Sequence, residues 1–115
     1  MPTSNSSALT ELQKIFSKED MLEILEFALP RITEKGDELQ QLLAASAWEP
    51  AARIAHQMLS SASTYASKNF DNMLRHIAQQ DLDVINCALF QQALKLELSG
   101  IIHDIQEWIV NNKIQ

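Results

Sequence analysis

Ala51-Ala52-Arg53-Ile54-Ala55-His56-Gln57-Met58-Leu59-Ser60-Ser61-Ala62 is the stretch on which the fold turns. Residues three and four apart are neighbours on a helix, so Trp48, Ala51, Ala55, Met58, Ala62 and Ala66 make one apolar ridge. Arg53, His56, Ser60 and Ser63 line an adjoining polar strip. The spacing predicts a helix from about Trp48 to Tyr65, with small side chains that let neighbouring helices approach closely. His56 is expected to face water at the edge of the core.

The residues before this helix read as a second, longer one. From Glu19 the apolar set Met21, Leu22, Leu25, Phe27, Ala28, Leu29, Ile32, Leu39, Leu42 and Leu43 recurs at helical spacing up to Ala47, with Pro30 and Gly36 inside it. Pro30 lacks an N–H and crowds the preceding turn, so the expectation is one long helix kinked there, ahead of two separate pieces. Ser17 is placed to cap its start, with Asp20 three residues on. Ala44 to Pro50 reads as a tight link, with Pro50 in the first turn of the helix that carries His56. Leu9, Leu12, Ile15 and Phe16 predict a short helix before all of these, and the polar residues 1–8 a flexible tail.

After it, Ser67 offers an N-cap for a helix carrying Phe70, Met73, Leu74 and Ile77 and ending near Gln79-Gln80. Asp81 or Asp83 is placed to cap a last segment from Val84 to Ile109. That segment is apolar on two sides: Ile85, Ala88, Leu89 and Leu96 on one stripe, Leu94, Leu98, Ile101, Ile105 and Trp108 on the other. A bend near Ser99-Gly100 is the favoured explanation, ahead of a seam with another subunit.

Composition points the same way. The chain has 115 residues, of which 46% are hydrophobic and 21% charged, enough for one domain, residues 9–115, with a modest core. With only two glycines and three prolines, a sandwich, a barrel or a Gly-rich phosphate loop is disfavoured and an all-α domain is expected. A net charge of -6 disfavours duplex nucleic acid and anionic membrane as partners, since both require cationic surface. The single cysteine, Cys87, excludes an intramolecular disulfide, fits a reducing cytoplasm, and is expected to pack as a small apolar residue. No segment approaches the roughly 20 apolar residues of a membrane span.

The common enzyme motifs are missing: H-E-x-x-H, paired cysteines, G-x-S-x-G and G-x-x-x-x-G-K-[ST] are not in the chain. His103, Asp104 and Glu107 lie near one another on one helix, but a solvated surface outweighs a metal site there, and no metal or other cofactor is expected. Nothing in the spacing brings Cys87 to His56 as nucleophile and base. Glu23/Glu26 and Asp81/Asp83 read as caps and solvated charge. What remains is an imidazole on a helix surface, a competent nucleophile toward a phosphoryl group when a partner supplies the metal ion and the acidic pocket.

The run from Glu19 to Ile77 resembles the histidine phosphotransfer (HPt) domain of multistep phosphorelays, whose pattern is a Leu/Phe-rich helix, a small-residue link, and then A-x-x-x-A-H-x-L-K-G. The corresponding words are Met21 to Pro30, Leu42 to Trp48, and Ala51-Ala52-Arg53-Ile54-Ala55-His56-Gln57-Met58, about half the chain in all. The resemblance implies an antiparallel four-helix bundle with an additional short N-terminal helix. It makes His56 the phosphoacceptor, taking a phosphoryl group from a receiver-domain aspartate and passing it on, and it buries Met58. The implied partners are a response-regulator receiver domain and a hybrid sensor kinase, and docking is expected to involve Ala52, Leu59 and Ser63.

Leu59 stands where the family has Lys, Ser60 where it has Gly, and Tyr65-Ala66 where an apolar-Gly pair is common. Ser60 is small enough to preserve docking, and its hydroxyl is a candidate partner for a phosphoryl oxygen. The lost cation has three candidate substitutes, Arg53, Arg75 and Lys68, with Arg53 favoured because it lies one turn before His56. The alternative reading is an HPt-like adaptor that binds a receiver or another signalling protein without phosphotransfer.

Overall fold

The fold is described from a computed structural model that covers Leu9, residues 12–65 and residues 67–113, without the side chains of residues 61–65. The tail expected at residues 1–8 lies outside the described residues. All regular elements among the described residues are helical, so the chain is all-α. After helical residues at Leu9 and at 12–15 come α1 (Lys18–Ala44), α2 (Trp48–Tyr65), α3 (Lys68–Ala78), α4 (Leu82–Ile85) and α5 (Ala88–Lys113).

Helix α1 starts where Ser17 caps it: the hydroxyl accepts from the Asp20 backbone N–H at 3.2 Å. It runs unbroken through Pro30, so the segment is one helix and not two pieces. Its buried residues, Met21, Leu25, Ile32, Gly36, Leu39 and Leu43, recur every three, four or seven positions and give one stripe facing the core. Helix α5 presents Leu94, Leu98, Ile101, Ile105 and Ile109 in the same way.

These two stripes meet antiparallel. Glu26 accepts from Lys113 at 2.7 Å, a Cβ placed on Gly36 would meet the Leu98 methyls at 3.1 and 3.3 Å, and the Gln91 amide reaches the Leu43 carbonyl at 3.5 Å. As the number rises on α1 it falls on α5. Glycine at position 36 relieves this close approach, since a Cβ there would press on the Leu98 side chain. Helix α1 also packs on α2, α2 on α3, and α3 touches α5, so the four longer helices follow one another around a shared core.

The turn between α1 and α2 follows from hydrogen bonding at a helix end. The Ala47 N–H returns to the Leu42 carbonyl at 2.8 Å and the Ser46 N–H to the Leu43 carbonyl at 3.1 Å, with Ser46 in the left-handed region at φ 59°. The end of α3 repeats the device: Asp81 bonds to His76 and Gln80 to Ile77, both at 3.0 Å, with Gln80 at φ 53°. Glycine avoids the Cβ strain of that conformation, which costs other residues about 1–2 kcal/mol. Ser46→Gly is therefore expected to raise unfolding stability by about 1 kcal/mol in a urea titration, and an unchanged or lower midpoint would refute the strain.

The last segment departs from its sequence reading. Its break falls at Asn86-Cys87, between α4 and α5, whereas α5 passes without interruption through Ser99-Gly100. The two apolar stripes therefore have different fates. One fills the core, and the other leaves Leu89 at 76% and Leu96 at 67% exposure. Ile85, from the same stripe, is held inside by α4, with no exposed surface. Cys87 occupies the break and is exposed, contrary to its expected packing. Asp81 precedes α4 without capping it through its side chain; its carboxylate instead meets His76 Nδ1 at 3.1 Å.

Ser67, only 4% exposed, joins α3 to α5. Its hydroxyl accepts from the Phe70 N–H at 3.1 Å and donates to Glu97 Oε2 at 2.9 Å, while Asn69 donates to Glu97 Oε1 at 3.1 Å. The cap of α3 is thereby fastened to α5, which steadies the end of the hairpin that presents α2.

Candidate functional site

Helix α2 begins after Ala47, whose carbonyl accepts the Ala51 N–H at 3.1 Å, with Glu49 and Pro50 in the first turn. Pro50 lacks only an N–H that has no helical partner at that position. The ridge read from the sequence is the buried side: Ala51 and Ala55 have no exposed surface and Met58 has 3%. Trp48 is half-buried against the same core. Ala62 and Ala66 of that ridge fall outside the described side chains.

His56 is exposed, on the side of α2 away from the ridge. Its neighbours by helical spacing are Arg53 one turn before and Ser60 one turn after. Arg53 is exposed and directed to the acidic start of the helix, with its guanidinium nitrogen 3.6 Å from Glu49 Oε1. Ser60 is exposed too, but its hydroxyl donates to the Gln57 carbonyl at 2.8 Å. To donate to a phosphoryl oxygen it must give up that bond.

The docking candidates separate. Ala52 is buried at 7% exposure and so offers little surface for docking. Its small apolar side chain on the His56 side gave little sign of this in the sequence. Leu59 is half-buried and packs against the core, so the position that holds Lys in the resembled family here covers the edge of the apolar interior. Ser63 lies on α2, but its side chain is outside the described part.

Of the other cation candidates, Arg75 donates from Nε to Asp71 Oδ2 at 2.8 Å within α3, and Lys68 is exposed at the start of that helix. Arg53 remains the cation nearest to His56 along α2. Glu49 was not singled out in the sequence. The acid-to-arginine spacing of four residues, Glu49 to Arg53, is the signal that marks it.

The remaining chemistry is elsewhere. His103 Nε2 lies 3.2 Å from Glu107 Oε2 on the exposed face of α5. Among the described residues, no group of three or more His, Cys, Asp or Glu is arranged to hold a metal ion, and no helix is long and apolar enough to cross a membrane. Comparison of the chain with protein-family models, with curated proteins and with solved structures finds no match.

Proposed function

We propose that this protein is a phosphoryl carrier of a two-component phosphorelay, with His56 accepting the group from a receiver-domain aspartate and passing it to another receiver. The observation that carries this reading is the exposed His56 imidazole on a helix whose opposite side is buried, with Arg53 one turn before it in the helix. An imidazole so presented can enter a partner's active site without unfolding anything. The partner receiver brings Mg²⁺ and the acidic site, while this chain supplies the nucleophile and the surface around it. The sequence of four longer helices around one core supports an HPt-like bundle. The proposed setting is the cytoplasm, with a hybrid sensor kinase upstream, and with neither nucleic acid nor membrane as partner.

A second reading has its own support. Leu59 covers the core where a cation would assist, and the Ser60 hydroxyl is engaged with its own helix. Both fit an HPt-like adaptor that docks on a receiver without accepting its phosphoryl group. Mixing the protein with a phosphorylated receiver and Mg²⁺ separates the two readings. Loss of phosphate from the receiver with wild type but not with His56→Gln supports the carrier; stable binding with no transfer supports the adaptor.

A further inference from the structure

Resting on the phosphoacceptor reading of His56, we propose that Glu49 withholds Arg53 while His56 is unmodified and competes for it afterwards, so that Glu49 sets the lifetime of the phosphohistidine. The three residues fall in order along the exposed side of α2. Glu49 lies four residues before Arg53, and Arg53 three before His56. Glu49 Oε1 is 3.6 Å from the Arg53 guanidinium, and the two side chains are 80% and 68% exposed. So exposed a pair is weak, and the guanidinium is free to swing one turn along the helix.

A phosphoryl group on His56 changes the balance. It carries more charge than a carboxylate and offers three acceptor oxygens, which a guanidinium matches well. Glu49 lies two turns, about 10 Å, from His56 along the axis, so it acts through Arg53 and does not touch the phosphoryl group itself. It is a positioning residue, and Arg53 is the group that makes contact.

The effect on lifetime follows from the chemistry of hydrolysis. A water oxygen bonds to phosphorus, the phosphorus–nitrogen bond breaks, orthophosphate leaves, and the imidazole regains its proton. In the loose transition state, charge moves off the outer phosphoryl oxygens toward the leaving imidazole. A cation on those oxygens therefore favours the intact phosphohistidine over the transition state. Arg53 slows the loss, and Glu49, by competing for Arg53, speeds it.

The test needs no partner protein, which separates this proposal from the relay itself. In a His76→Gln/His103→Gln background, His56 is the only imidazole of the chain's three. Phosphoramidate then loads it: the imidazole nitrogen bonds to phosphorus as ammonia leaves with the proton. Decay is followed by phosphorus NMR. Glu49→Gln is expected to lengthen the half-life about twofold to fivefold, the range an exposed ion pair allows. Arg53→Ala is expected to shorten it, and in the Arg53→Ala background Glu49→Gln should have no further effect. Glu49→Asp should leave the decay closer to wild type.

An unchanged half-life in Glu49→Gln, an effect that persists without Arg53, or failure of phosphoramidate to load His56 would overturn the proposal. If the lifetimes behave as stated but no receiver transfers to His56, the relay reading fails and the role of Glu49 stands.

Discussion

Phe70→Ala is expected to cost about 3–5 kcal/mol of unfolding free energy, since it removes a fully buried ring and leaves a cavity. A domain of this size holds about 5–15 kcal/mol in total, so the loss takes a large share of it. Phe70 has no exposed surface, and its backbone N–H is the one that Ser67 caps. Relaxation is limited on that side, because Ser67 is held by Glu97 at 2.9 Å. Urea denaturation followed by far-ultraviolet circular dichroism measures the change. A loss below about 1 kcal/mol would mean that the start of α3 collapses to fill the space, and that the described core is too tight.

The second large effect concerns the site. Leu59→Lys is expected to shift the phosphoryl equilibrium from a phosphorylated receiver toward this protein by about tenfold to a hundredfold, the worth of a charge-assisted contact to phosphate at about 1.5–3 kcal/mol. Leu59 is half-buried, so a lysine can keep its stem on the apolar edge and carry its ammonium outward toward His56. The same change gives up some apolar burial, at about 1 kcal/mol of stability. A variant that holds more phosphate at equilibrium but is less stable is the expected combination. An unchanged equilibrium would show that the ammonium does not reach the phosphoryl group, or that Arg53 already performs its task.

The helices around the site were legible because their signals are local. Ser17, the Ala51/Ala55/Met58 ridge and Ser67 each act within a turn or two of themselves, and the structure has each where the spacing predicts. The exposed state of His56 followed from the same periodicity. Ala52 is more buried than its place on the His56 side suggests, because a methyl group contributes little to any pattern.

The start of the last helix was harder for a related reason. Leu89 and Leu96 look as apolar as Leu94 and Leu98, and only the pairing with α1 selects which stripe is covered. The Ser67–Glu97 bond joins residues thirty apart, and nothing near either one announces it. Gly36 likewise makes sense only once Leu98 stands against it. The role proposed for His56 rests on resemblance, since helical spacing accounts for an exposed imidazole but not for its use.

Whether His56 receives the phosphoryl group is decided by locating the phosphate. The protein is incubated with a phosphorylated receiver and Mg²⁺, cleaved at neutral pH to keep the phosphorus–nitrogen bond, and examined by mass spectrometry. One added phosphoryl group is expected, on the peptide containing His56 and absent from His56→Gln. Phosphate on His76 or His103, or a receiver that stays fully phosphorylated beside the wild-type protein while bound to it, would contradict it.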